Sequence, residues 1–498
     1  MTALVTSILS PLPAAAQSNN AVYTFGGEKS QEVPSGEDYA KVAENEFLTV
    51  AEHPLSTFGA DVDTASYSNI RRMLSEGQLP PQDAVRIEEM LNYFHYDYPA
   101  PKDKEPFAVS TELHPCPWKS ENQLLRIGVR TASLGSDMPP RNLTFLLDVS
   151  GSMSDSNKLP LLKRGLRTLM ESLTEKDRVA IVVYAGSSGL VLPPTPGNER
   201  ETIMQALFGL EAGGSTNGGQ GIQLAYKTAE ENFSKEGINR VILATDGDFN
   251  VGTTSQGSLE RLIEEKRESG IFLTVLGLGT GNLKDSTMEM LADKGNGNYA
   301  YIDSVEEARK VLVSEGGGSL VTVAKDVKIQ VEFNPVSVFA YRLIGYENRV
   351  MADHDFNDDK KDGGEMGAGH RLTVLYELVP PGKLESGDSL RYQEKRETKP
   401  GKDEELALVK IRYKPPQKDE SILISQVVPV GIQETISGDF RFACSVAGLG
   451  MLLKKSKHKG GLDYEWVIKT AESSKGNDRF GYREQFVELA KKAQSLDN

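Results

Sequence analysis

The chain has 498 residues, of which 38% are hydrophobic and 26% charged, and it carries a formal net charge of −15 at pH 7. This length exceeds one ordinary domain and fits about three, and the composition is that of a soluble globular protein. The acidic balance excludes a nucleic-acid partner, which needs a basic face; it serves solubility first and also suits a protein that collects cations. The two cysteines, Cys116 and Cys444, form no C-x-x-C pair. Zinc and dithiol redox motifs are therefore excluded, while one long-range disulfide in an oxidising compartment stays open.

In chain order, Met1–Leu12 is a short apolar run followed by PAAAQ, where Ala14 and Ala16 fit the small-x-small rule of signal-peptidase cleavage. The opening lacks Lys or Arg, so the expectation is a degenerate signal peptide or a start downstream of the true one, with export to the periplasm or cell envelope. No later run reaches about 18 apolar residues, so no transmembrane helix is expected. With the polar stretch that follows, residues 1–47 form a leader and linker. Residues 48–105 read as a helical region, with the helical pattern running from Ser56 to Tyr98. Ile70, Met73 and Leu74 share one face there, and Val85, Ile87, Met90, Leu91 and Phe94 form another stripe. Residues 106–135 read as strands; LLRIGVR alternates as a half-buried strand does.

Residues 140–315 carry an α/β pattern. Strands are predicted at Leu143–Leu147, Val179–Tyr184, Val241–Ala244 and Phe272–Leu276. Helices are predicted at Lys158–Leu173, Arg200–Phe208, Gly219–Phe233 and Ser258–Glu268. Buried strands alternating with helices imply a doubly wound, mostly parallel sheet with helices on both faces, whose ligands sit at the carboxyl ends of the strands. Strands return over 320–430 and helices over 431–498. The predicted fold class is thus α/β, with the parallel sheet inserted in or flanked by a β-sandwich and with N- and C-terminal helical segments.

The chemistry concentrates in LTFLLDVSGSMS, where a buried strand ends in Asp148 and is followed by Ser150, Gly151 and Ser152. A carboxylate and two hydroxyls projecting from one tight loop are hard oxygen donors, suited to Mg²⁺, Mn²⁺ or Ca²⁺. The loop AGGSTNGGQG adds Thr216, and the strand end Thr245-Asp246-Gly247 adds a second carboxylate, Asp246. Alone, D-x-S-x-S also describes a helix N-cap; the Thr loop and the T-D-G strand end, in this order, favour a metal site.

These residues resemble the von Willebrand factor type A (VWA) domain and its metal-ion-dependent adhesion site, D-x-S-x-S with a distant Thr and a distant Asp. The resemblance implies that Ser150, Ser152 and Thr216 coordinate the metal directly, and that Asp148 and Asp246 act directly or through water. It also implies an open position filled by an acidic side chain of a protein partner. The flanks DVDTASYSNIRRML, DAVRIEEMLNYFHYDYP, LIGYENR and DFRFACSVAGLGMLL are similar to the bacterial YfbK-like group of VWA-containing, often lipoprotein-like envelope proteins. That similarity extends over nearly the whole chain after the linker. The usual lipid-attachment cysteine is missing from the leader, which departs from the lipoprotein pattern.

Other segments approach known motifs without matching them. Asp61-Val62-Asp63-Thr64-Ala65 approaches the D-x-D-x-T nucleophile motif of haloacid-dehalogenase phosphatases but has Ala65 in the fifth position. Capping of the helix from Ser66, or packing on the α/β unit, is the expected role. GGSTNGGQG lacks the Lys-Ser/Thr ending of a P-loop. Asp353, Asp355, Asn357 and Asp359 alternate like a calcium loop, yet Asp358 and Gly364 stand where an EF-hand needs Gly and Glu; a solvated hairpin loop is expected. The six histidines form no H-x-x-x-H pair, and no G-x-S-x-G element is present. Three functions follow in order: a metal-dependent protein-binding module, an envelope scaffold that binds through its sandwich and helices without a metal bridge, and, last, a hydrolase. The protein is expected not to be an enzyme.

Overall fold

The computed structural model describes residues 36–60, 63–102, 105–134, 138–216, 218–247, 256–314, 321–361, 363–382, 404–416, 418 and 420–497. The apolar run with Ala14 and Ala16, on which the export expectation rests, and Asp61 lie outside the described residues. Where the sequence pattern places helix from Ser56 onward, the chain first forms two strands, β1 (Leu48–Thr49) and β2 (Leu55–Gly59). A distant partner draws β2 into extended form. Ser56 lies against Val331 and Phe58 against Ile329 in an antiparallel pair, and Phe58 is fully buried. Local preference in a five-residue segment yields to that pairing.

Helices α1 (Ala65–Ser75) and α2 (Ile87–Asn92) follow, then strands β3 (Phe107–Pro115) and β4 (Gln123–Thr131). The α/β unit runs β5 (Arg141–Asp148), α3 (Leu159–Met170), β6 (Arg178–Tyr184), β7 (Ser188–Pro196), α4 (Arg200–Phe208), α5 (Gly218–Glu231), β8 (Ile238–Thr245), α6 (Gln256–Glu268), β9 (Phe272–Leu278), α7 (Asp285–Lys294), β10 (Tyr299–Ile302) and α8 (Val305–Arg309). Its six-stranded sheet has the order β10-β9-β8-β5-β6-β7, parallel throughout except β7, which runs antiparallel to β6. One apolar core covers each face, so the central strands are buried on both sides. The four strands predicted from sequence form the centre; β7 and β10 complete the edges and were not predicted. β7 contains Pro193, Pro194 and Pro196, which cannot donate ladder hydrogen bonds, and it pairs with β6 through irregular register. Only an edge tolerates such a strand.

The chain continues through β11 (Thr322–Phe333), β12 (Ala340–Ile344), β13 (Met366–Gly367), β14 (Arg371–Val379), β15 (Glu405–Lys414), β16 (Ile422–Pro429), α9 (Gly438–Leu453), α10 (Tyr464–Ser473) and α11 (Tyr482–Asp497). Two sheets form, β1-β12-β14-β4-β3 and β13-β11-β15-β16, with β2 paired on β11. Ile127 and Val129 of β4 and Val374 of β14 share a core with Ile329 and Val331 of β11 and Val409 of β15, so the sheets make a sandwich. The strand period of two sends Leu124 and Leu375 to the opposite face, where they pack with α1, α2 and α9–α11. The α/β unit leaves the sandwich after β4 and returns at β11. It is an insertion whose strands reach their carboxyl ends at Asp148 and Thr245.

Buried charges fasten the inserted unit to the helical layer. Arg71 of α1 donates to Asp303 at 2.6 and 2.5 Å and to Glu307 of α8 at 2.7 Å, and the Tyr93 hydroxyl donates to Glu307 at 2.8 Å. Cys116 and Cys444 are free thiols buried in the helical core, and burial pushes both thiols above the ordinary cysteine range.

Candidate metal centre

Asp148 ends β5, a strand buried along its whole length, and is itself inaccessible. Its Oδ1 accepts the Ser150 N–H at 2.9 Å. Its Oδ2 accepts the Tyr184 hydroxyl at 3.1 Å and the Thr245 hydroxyl at 3.3 Å. Burial holds the carboxyl above the ordinary aspartate range. Nearby Asp246 adds to that, while the hydrogen bonds from Ser150 and Tyr184 oppose it. A short 3₁₀ turn, Gly151–Ser154, follows, and Ser150 precedes it without a side-chain capping bond. The N-cap alternative therefore does not use this hydroxyl. Instead the Ser150 and Ser152 hydroxyls lie 3.0 Å apart, Ser150 buried and Ser152 exposed.

Gly151 opens this turn. In the structure it needs no left-handed backbone, and a Cβ there would meet only Gly214 O at 3.5 Å. Its role lies in the backbone: the Gly151 N–H donates to Gly214 O at 3.0 Å, and the Gly213 N–H donates to Val149 O at 2.7 Å. These two bonds hang the Thr216 loop on the Asp148 loop, with Gly214 at φ +87° making the bend. Thr216 is half-buried, just before α5.

Asp246 follows the end of β8 and is 1% exposed. The next residue, Gly247, has φ +104°, and a Cβ there would stand 2.6 Å from Lys284 N and 2.8 Å from Asn282 O. Only glycine fits. The Gly247 N–H donates to the Thr245 hydroxyl at 3.2 Å, so Thr245 ties this turn to Asp148. The Lys158 ammonium, at the start of α3, donates to Asp246 Oδ2 at 2.9 Å.

The structure thus gathers Asp148, Ser150 and Ser152 beside Asp246 at the carboxyl ends of adjacent strands β5 and β8, with the Thr216 loop bonded to the same turn. Among the described residues no group of three or more His, Cys, Asp and Glu could hold a metal, so a cation here would depend on hydroxyls and two carboxylates. This all-oxygen set fits Mg²⁺, Mn²⁺ or Ca²⁺. Tyr184, Thr245 and Lys158 support the carboxylates, and sequence reasoning missed their roles.

Asp63 does not cap α1, whose N-cap is Thr64 without a side-chain bond. Its Oδ1 accepts the Tyr299 N–H at 2.8 Å and its Oδ2 faces Arg349 at 3.4 Å, so it anchors the start of β10. The acidic segment is a largely exposed connection between the antiparallel strands β12 and β14, the solvated hairpin loop expected, and Asp353–Asn357 forms a 3₁₀ turn within it. Asp353 accepts the Thr57 hydroxyl at 3.0 Å, and Asp359 pairs with Arg412 at 3.1 Å.

Residues 142–313 match the family described as von Willebrand factor type A domain, and residues 33–126 match the one described as von Willebrand factor. Residues 318–496 match the family described as Uncharacterized protein YfbK, C-terminal. The chain is 44% identical over 476 residues to the Escherichia coli protein of that description, covering 93% of this chain and 82% of that protein. It is 28% identical over 269 residues to human inter-alpha-trypsin inhibitor heavy chain H3, covering 50% of this chain and 29% of that one. Among solved structures, a von Willebrand factor type A protein from Catenulispora acidiphila aligns with a TM-score of 0.42 at 16% identity, over 78% of this chain and 91% of that chain. A VWA domain points to a protein-binding or adhesion role, and such domains often hold a divalent metal. The chain belongs to the YfbK family of von Willebrand factor type A proteins.

Proposed function

We propose that the protein is a divalent-metal-dependent protein-binding component of the bacterial cell envelope and not an enzyme. Mg²⁺, or Mn²⁺ or Ca²⁺ in its place, is held by the hydroxyls of Ser150, Ser152 and Thr216, with Asp148 and Asp246 acting directly or through water. An acidic side chain of a protein partner fills the remaining position. The observation that carries this reading is the meeting of Asp148 and the Ser150–Ser152 hydroxyl pair with Asp246 at one edge of the sheet. Export is supported by Ala14 and Ala16 and by the family resemblance; among the described residues no helix is long and apolar enough to cross a membrane. The residue nearest a hydrolase motif, Asp63, is committed to Tyr299 and Arg349. The test is chelation: proteins captured from envelope extract on the immobilised chain in Mg²⁺ are released by EDTA, and Asp148→Ala captures none of them. Capture that persists in EDTA and in Asp148→Ala contradicts the metal bridge.

A second reading, a scaffold that binds without metal, is favoured by the edge strand β16. Leu423 is 54% and Val427 41% exposed there, and Val430 and Ile432 continue the apolar surface. EDTA-resistant capture lost on Leu423→Lys would select it.

A further inference from the structure

We propose that Lys158 is a built-in counter-cation: it weakens the centre's hold on a divalent metal alone and makes tight metal binding depend on an anionic ligand. The inference rests on the metal-site reading above. Lys158 Nζ lies 2.9 Å from Asp246 Oδ2, with the two side chains 6% and 0% exposed. Among the described residues a second acidic neighbour, Asp155, is 3.9 Å away and 70% exposed. The ammonium is placed by construction. The lysine stem lies across Gly279, which has φ +74°, and a Cβ there would stand 2.6 Å from Lys158 Cγ and 2.8 Å from its Cδ. Lys158 is also the N-cap of α3, an end of the helix where the dipole disfavours a cation. Helix stability does not account for a lysine here, whereas a buried carboxylate does.

The charge balance follows. Asp148, Asp246 and Lys158 together leave one negative charge. A divalent cation turns that into one positive charge, and a single carboxylate from a partner neutralises it. Without the ammonium, the metal alone neutralises the centre and an added carboxylate is left uncompensated. Lys158 therefore shifts affinity from the bare metal to the metal together with its acidic ligand, an instance of reciprocal coupling between two ligands.

The test is calorimetric titration of Mg²⁺ and Mn²⁺ into the full chain and into Lys158→Met and Lys158→Gln, each with and without acetate as the carboxylate probe. Both variants should bind metal at least about tenfold tighter than wild type, the scale of one nearby unit charge, and acetate should tighten metal binding in wild type only. Lys158→Met should be less stable than wild type in EDTA and recover in Mg²⁺. Variants that keep the wild-type circular dichroism yet bind metal no tighter than wild type overturn the proposal, as does a Lys158→Met that stays destabilised in saturating metal. If wild type and both variants all fail to bind metal, the metal-site reading itself falls and takes this inference with it.

Discussion

Tyr184 and Asp148 end neighbouring parallel strands in register, and the tyrosine hydroxyl donates to Asp148 Oδ2 at 3.1 Å. The strand pairing thus delivers a fixed donor to a fully buried carboxylate. Tyr184→Phe keeps the buried ring and removes one hydrogen bond to a charged group, so it should cost about 2 kcal/mol of stability. Denaturant unfolding of the full chain measures this; a variant as stable as wild type would show that Tyr184 does not support the site.

Gly247 sets the direction in which Asp246 leaves β8. Gly247→Ala forces a Cβ into the Lys284 and Asn282 backbone at φ +104°. It should destabilise the chain by more than about 1 kcal/mol and weaken metal binding with it. Unchanged unfolding and unchanged metal titration would show that the turn adapts without disturbing Asp246.

Arg71 neutralises two carboxylates at the junction between the helical layer and the inserted unit. Arg71→Ala leaves Asp303 and Glu307 without that guanidinium, which should cost about 3–5 kcal/mol and speed proteolytic cutting between the sandwich and the α/β unit. The readouts are denaturant unfolding and limited proteolysis; a loss below about 1 kcal/mol would place the fastening elsewhere.

Burial raises the Glu88 carboxyl from 4.5 to about 7, and Glu347 adds to it. The folded chain therefore holds a proton that the unfolded chain has lost between those values. Stability from this group is complete below the unfolded value and is lost as pH rises through the folded one. Glu88→Gln fixes the uncharged form, so its stability advantage over wild type should be larger at about pH 8 than at about pH 5. An advantage that does not grow with pH, read by unfolding at both values, would contradict the raised value.

D-x-S-x-S and T-D-G could be read from the sequence because each is one contiguous turn at the end of a strongly apolar strand. The parallel sheet was legible for the same reason: β5, β6, β8 and β9 are apolar runs separated by amphipathic helices. Lys158, Tyr184 and Thr245 were not assigned roles, since each acts through strand register or through the space left by a glycine far along the chain, as Lys158 does with Gly279. β2 was hidden because its conformation comes from pairing with β11. β7 was hidden by its prolines, and β10 by having only four residues.

Calorimetric titration of Mg²⁺, Mn²⁺ and Ca²⁺ into wild type and Asp148→Ala tests the metal centre most directly. A cation held by these oxygens gives saturable binding to wild type and none to an Asp148→Ala variant that keeps the wild-type circular dichroism. Equal binding to both, or no binding to wild type even with acetate present, would contradict a metal site at Asp148.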